Sequence, residues 1–227
     1  MRKRKIALIL LIVLIPWLVF AASQTTSSST ASDLITKIRY ILNEPTAYFW
    51  TDAELASYLN DAVYDVVART RCLETQETLS LTSGTSQYSL STSYIAIKGA
   101  IYYNGTTYKG LIPGEIKSYG HSEDIEEPEF YYDWNNKVEL YPDPNTSGTS
   151  LIVYLLKKPT GISATTSSIE TPAIYDRALV LYSSAQAFYK DNQFAKGGRL
   201  MAEYFEELNR YRVDFVEPVV KESVKIK

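Results

Sequence analysis

Cys72, His121 and the acidic residues that follow His121 are the side chains of this chain whose types could do chemistry. A thiol beside an imidazole makes a nucleophile–base pair, in which the base activates the attacking sulfur. Cys72 is the one cysteine and His121 the one histidine of 227 residues, so an internal disulfide is excluded. Cys72 falls between Arg71 and Leu73 at the end of a helical pattern, a place that suits a small apolar group. His121 opens an acidic run in which Glu123, Asp124, Glu126, Glu127 and Glu129 follow within eight residues. Two such carboxylates could hold a divalent ion, or serve as the acid and base of a glycosidase, which needs no sequence motif. Their spacing lacks the D-x-[DN]-x-[DN]-G order of a calcium loop, and a solvated acidic loop is the simpler reading. The sequence carries no G-x-S-x-G, no H-E-x-x-H and no phosphate-binding loop, the usual marks of a hydrolase or nucleotide site. The expectation is a non-enzyme without metal or cofactor.

Composition points the same way. Removing the four cations of the opening RKRK from the 23 basic residues leaves 19 against 26 acidic ones, a net of −7. Strong phosphate binding needs clustered Lys and Arg to release counterions. Tyrosine is abundant, at 19 residues; it combines apolar area with one hydroxyl and is enriched at protein contacts.

Periodicity divides the chain. Ser32 is expected to cap a short helix, DLITKIRYILNE, whose Leu34, Ile38 and Ile41 follow the helical period. Pro45 disfavours the α region just before it, so TAYFW reads as a loop. Thr51 and Glu54 form a capping-box pattern, with Phe49 or Trp50 as a staple. Leu55, Leu59, Ala62, Val63, Val66 and Val67 then make one apolar stripe. From about residue 75 the period is two, and three hairpins are expected. The first turns at Ser83-Gly84, the second at Asn104-Gly105 and the third at Asn135-Asn136. TSLIVYLLKKP is apolar on both faces and reads as a central strand. Asn104 and Asn145 also head glycosylation sequons, relevant only in a eukaryotic secretory host. The helical period returns with Thr171 as cap and Pro172 at the first helical position. Ile174, Ala178, Leu181, Tyr182, Ala185 and Phe188 form its stripe. After a break at 190–193, Met201, Tyr204, Phe205 and Leu208 continue it, with Glu206 and Arg210 paired one turn apart.

The expected fold is α+β: two N-terminal helices and a C-terminal helical hairpin form a bundle, with an inserted antiparallel β-sandwich or barrel-like domain. The boundaries read as 1–22 signal-like or anchor segment, 23–32 Ser/Thr-rich linker, 33–72 N-terminal helices, 73–160 β-insert, 161–212 helical hairpin and 213–227 extended tail. The first segment has a basic start, an apolar run from Ile6 to Phe20 and small residues at a cleavage position after Ala21. At 1.5 Å per residue that run spans about 22 Å, short of a bilayer core of about 30 Å.

This layout resembles the head–tail connector, or adaptor, proteins of tailed bacteriophages. The resemblance rests on LITKIRYILNEPTAYFWTDAELASYLNDAVYDVVAR, on the short-stranded insert running into KKPTGI, and on ALVLYSSAQAFYKDNQFAKGGRLMAEYFEEL. It covers roughly residues 33–212 and lies in the order and spacing of these stretches. It implies a structural, non-catalytic virion protein that forms a ring, usually of about twelve subunits, docks on the portal and joins it to tail proteins. DNA would pass the channel without specific binding. Tyr182, Ala185, Tyr189, Gly197, Gly198, Met201 and Tyr204 become candidates for the oligomer interface. Phe215, Pro218, Val219 and Val220 become candidates for a portal-docking tail. Such proteins assemble in the host cytoplasm, and a signal segment departs from that pattern. The competing reading is an exported surface-assembly or binding protein, released after residue 21 or held at a membrane through 1–22.

Overall fold

The computed structural model describes residues 26–114 and 125–211. The signal-like segment, residues 23–25, His121 with Glu123 and Asp124, and the tail bearing Phe215, Pro218, Val219 and Val220 lie outside them.

Helix α1 spans Ala31–Leu42 and is capped by Thr30, two residues before the expected Ser32. The shift has a local cause: Asp33 stands three residues after Thr30, and its carboxylate accepts the Thr30 N–H at 2.7 Å while Thr30 Oγ1 accepts from Asp33. That closes a capping box. Asn43 ends the helix in the left-handed conformation, φ 56°. The expected free linker is bonded from Thr26 onward. Thr26 bridges Pro172, Thr30 bridges Ser168, and the hydroxyls of Ser27 and Ser29 both donate to Asp176 Oδ2, at 3.0 and 2.8 Å. A Ser/Thr-rich stretch here meets one carboxylate oxygen of Asp176 at the start of the C-terminal hairpin.

Helix α2, Asp52–Thr70, is capped by Thr51, whose Oγ1 accepts the Glu54 N–H at 3.2 Å, while the Glu54 carboxylate bonds Tyr58 and Lys190 instead of closing the expected box; the helix buries the stripe read from sequence. Helix α3, Asp176–Lys190, follows a 3-10 turn over Ala173–Tyr175, so Pro172 precedes the helix instead of opening it. Tyr175 N–H donates to the Pro172 carbonyl at 2.9 Å, winding the chain one residue tighter than an α-turn. The stripe expected on α3 is too narrow. Leu179, Val180, Ser183, Ser184 and Ala187 are buried as well, because α1, α2 and α4 all pack on this helix. Helix α4, Phe194–Tyr211, returns after a turn at Asn192, φ 56°. Its Arg210 pairs with Glu207 at 2.9 Å, not with Glu206.

The insert folds as two four-stranded sheets. The strands are β1 Glu74–Ser80, β2 Gln87–Ser89, β3 Tyr94–Tyr103, β4 Tyr108–Gly110, β5 Ile112–Pro113, β6 Ile125–Glu126, β7 Phe130–Trp134, β8 Lys137–Tyr141, β9 Asp143–Pro144 and β10 Ser150–Lys157. One sheet runs β1-β10-β3-β4, the other β2-β8-β7-β5, and β6 with β9 makes a small third pair. Leu81, Leu90, Ala100, Tyr102, Tyr131, Val138, Leu140, Leu151, Val153 and Leu155 fill one core. As expected, β10 is central, pairing with both β1 and β3. The second and third hairpins form, the latter turning on Asn135 and Asn136 at φ 49° and 61°. The first does not: β1 pairs with β10 and β2 with β8, in opposite sheets. Alternation of period two is the same for a hairpin and for a strand that crosses a sandwich, so the pattern could not separate them. The pairs β5–β7 and β6–β9, two residues each, are parallel.

The bundle has its own core, from Leu34, Ile38, Leu55, Leu59 and Val66 to Tyr175, Leu179 and Tyr204. At Gly197 helices α3 and α4 approach closely. A β-carbon there would sit 2.5 Å from Tyr189 Cε1 and 3.0 Å from the Ala185 carbonyl oxygen, whereas at Gly198 it would meet nothing within 4 Å. Gly197→Ala is therefore expected to lower unfolding free energy by about 1–2 kcal/mol through overpacking, and Gly198→Ala to raise it by up to about 1 kcal/mol through helix propensity. Denaturant melts of the two variants check this; equal effects would contradict it.

Candidate assembly surfaces

A dense polar arrangement is built on Glu44, the residue before Pro45. Its Oε1 accepts the backbone N–H groups of Tyr48, Phe49 and Trp50 at 2.9, 3.1 and 3.1 Å. Burial would raise the Glu44 pKa, but these bonds and the neighbouring Arg39 outweigh it and hold the carboxyl below its ordinary range. The buried Arg39 guanidinium is satisfied in turn: Nη2 reaches the Trp50 carbonyl at 2.9 Å and Asp52 Oδ1 at 2.6 Å, and Nη1 reaches Glu44 at 3.4 Å. Trp50 is buried and its Nε1–H donates to the Ala187 carbonyl at 3.2 Å. The loop after α1 is thus clamped to both α1 and α3.

That clamp displays aromatic side chains to solvent. Tyr48 is 92% exposed and Tyr40, on the last turn of α1, 88%. Phe49 is partly exposed, with Lys190 Nζ 4.6 Å from its ring centroid. The same ammonium bonds Glu54 at 2.6 Å, joining the start of α2 to the end of α3. Phe194, 63% exposed, stacks on Tyr189 just beyond. Rigidly held, exposed aromatics are the side chains that anchor protein interfaces. Sequence reading passed over them as loop and staple. The signal was present in Glu44, a carboxylate ahead of an aromatic run whose N–H groups no helix uses.

The expected interface residues divide in two. Ala185, Gly197 and Tyr204 are buried inside one subunit. Tyr204 is wholly enclosed, and its hydroxyl donates to Asp65, which also pairs with Arg69. These three cannot face a neighbour; their smallness and apolarity serve α3–α4 packing. Tyr182, Tyr189 and Met201 are half-buried, and Gly198 is exposed.

Of the residues considered for chemistry, Cys72, Glu126, Glu127 and Glu129 are described. Burial pushes the Cys72 thiol up to about 11, which keeps it protonated and unreactive at neutral pH. Glu127 and Glu129 both lie 3.7 Å from Lys109, so these carboxylates of the acidic run form ion pairs. Among the described residues no group of three His, Cys, Asp or Glu is placed to hold a metal, and no helix is long and apolar enough to cross a membrane. Surface grooves are also present. One of about 470 Å³ lies over Glu74, Lys98, Gly99 and Tyr154 on the outer face of the first sheet. Another, of about 730 Å³, lies between α1 and α4 over the start of α3.

The SU10 adaptor protein family matches residues 29–219. The chain belongs to that family. No curated protein matches it. A solved structure described as the neck of an empty GTA particle, computed with C6 symmetry, is 16% identical, over 73% of this chain and 83% of that one, with a TM-score of 0.25. Membership in the SU10 adaptor family makes the chain a structural head–tail adaptor. The family match includes the bonded segment from Ser29 and the whole of α1 to α4, extending at both ends the stretch that carried the resemblance in sequence.

The Glu44 clamp is testable by pH and by substitution. A carboxyl whose folded pKa is depressed contributes stability above its unfolded value, ordinarily 4.5, and loses it as pH falls through the folded pKa. Exchange protection of the Tyr48, Phe49 and Trp50 amides should be full at neutral pH and disappear below the ordinary Glu range. Glu44→Ala should remove that protection at every pH, while Glu44→Gln, which keeps an acceptor oxygen, should retain part of it. Protection indifferent to both changes would show that the loop is held by other means.

Proposed function

We propose that this SU10 adaptor is a non-catalytic, ring-forming connector that docks on the portal and joins it to the tail. The observation that carries the reading is the clamped aromatic surface at one end of the bundle, in a chain of an adaptor family. Ring subunits meet through two different faces of the same chain, since head-to-tail contacts close a ring when the rotation permits. The aromatic end offers one face. The half-exposed side of the α3–α4 hairpin, with Tyr182, Gly198 and Met201, offers the other. Residues 213–227 are the segment proposed to reach the portal, and the β-insert the platform for tail proteins. The acidic balance of the chain supports a channel that DNA traverses without being held.

A second reading is favoured by one observation, the basic start and apolar run of residues 1–21: an exported binding or surface-assembly protein that uses the β-insert. Mass spectrometry of the native N-terminus with fractionation separates the two. A chain found in virion particles supports the connector; one beginning at Ala22 in the periplasm or medium supports the exported protein.

For the connector, Tyr48→Ala and Phe194→Ser together should leave unfolding free energy within about 0.5 kcal/mol, as exposed substitutions do. They should reduce incorporation into particles at least tenfold, as loss of interface anchors worth about 2 kcal/mol implies. Wild-type incorporation of a stable double variant would remove the aromatic end from the assembly.

A further inference from the structure

We infer that the groove between α1 and α4 is a docking site for the chain's own tail, residues Val213–Val220, in the unassembled subunit. The groove has a floor that the described chain leaves partly uncovered: Ile41 on α1, Ile174 before α3 and Leu200 on α4. Its far end is lined by Arg210 and Tyr211, and Tyr211 packs edge-on against Tyr175. The described part of α4 therefore ends at that end of the groove. The wall from Leu200 to Tyr211 is about 16 Å long at 1.5 Å per helical residue, a distance that five extended residues span at roughly 3.3 Å each. A chain turning back at Arg212 brings Phe215 and Val216 over the floor.

Charge selects the same segment. The acidic residues of the α4 wall are already paired, Glu203 with Arg199 at 3.2 Å and Glu207 with Arg210 at 2.9 Å. On the opposite rim Arg177 and Lys37 make no salt bridge among the described residues, and the Asp176 carboxylate beside Arg177 is taken up through Oδ2 by the Ser27 and Ser29 hydroxyls. The tail supplies Asp214 and Glu217 on either side of Phe215 and Val216. Apolar residues flanked by two carboxylates fit an apolar floor flanked by two cations. Tethering at Tyr211 makes the encounter intramolecular, at an effective concentration in the millimolar range. The inference goes beyond the ring and stands apart from it: a tail held in this groove would be unavailable to another protein until it is released.

The test uses the full chain carrying photoreactive benzoylphenylalanine in place of Phe215, irradiated as the dilute monomer and mapped by mass spectrometry. Cross-links within one chain to residues 37–41, 173–181 or 200 are expected. Links to the β-insert, links to a second copy, or no link would each overturn the inference. Arg177→Glu should lower the yield roughly threefold, in line with a surface charge pair. Adding Asp214→Lys and Glu217→Lys should restore it, and a yield unmoved by either change would also overturn it. A subunit that forms the internal link but never assembles would contradict the connector and leave the docking intact.

Discussion

Helix α3 has to be covered on almost every side, and the rest of the subunit is arranged to do so. A helix with buried residues around most of its circumference cannot stand at a surface. Its Ala and Ser positions hold the neighbouring helices close: Ser183 returns its hydroxyl to the Leu179 carbonyl at 2.8 Å instead of leaving it unpaired. α1 and α2 cover one side, α4 the other, and the segment from Thr26 to Thr30 seals the start. Trp50 carries this constraint out to the loop, because its ring nitrogen must find the Ala187 carbonyl. The loop that displays Tyr48 and Phe49 is thus fixed by the packing of a helix more than a hundred residues away in sequence.

The buried charge in that loop follows the same logic. A guanidinium as enclosed as that of Arg39 is stable only if its donors are met. Glu44, Asp52 and the Trp50 carbonyl meet them. The arrangement fixes geometry more than it adds stability, since desolvation offsets much of the attraction. Its product is a loop of one shape, and a loop of one shape binds without first losing conformational freedom.

Much of this was legible in the sequence, and the failures have physical reasons. The order of helix pair, β-insert and helix pair was readable because each change of period is a change of buried face. The stripe of α2 was readable because that helix buries a single side. α3 was under-read because a helix covered on several sides loses its stripe. The cap of α1 was misplaced because two hydroxyl residues compete there and Asp33 decides between them. The first hairpin was misread because partner strands are not encoded in alternation. Tyr204 and Ala185 were assigned outward because small and aromatic residues serve a bundle interior and a subunit interface equally well. The Glu44 clamp escaped notice because its partners are backbone N–H groups, and a lone carboxylate ahead of an aromatic run is its one mark in the sequence.

The β-insert leaves the bundle at Leu73 and returns at Lys157, where the Lys157 N–H donates to the Leu73 carbonyl at 2.8 Å. Its two ends therefore meet. Seen from the bundle, the whole domain is one closed loop, and the entropy of closing a loop grows only with the logarithm of its length. The insert also has a hydrophobic core of its own, apart from that of the helices. Strands can be lengthened, hairpins exchanged and surfaces redrawn there at little cost to the helices, so that the insert can change while the bundle that carries it stays the same.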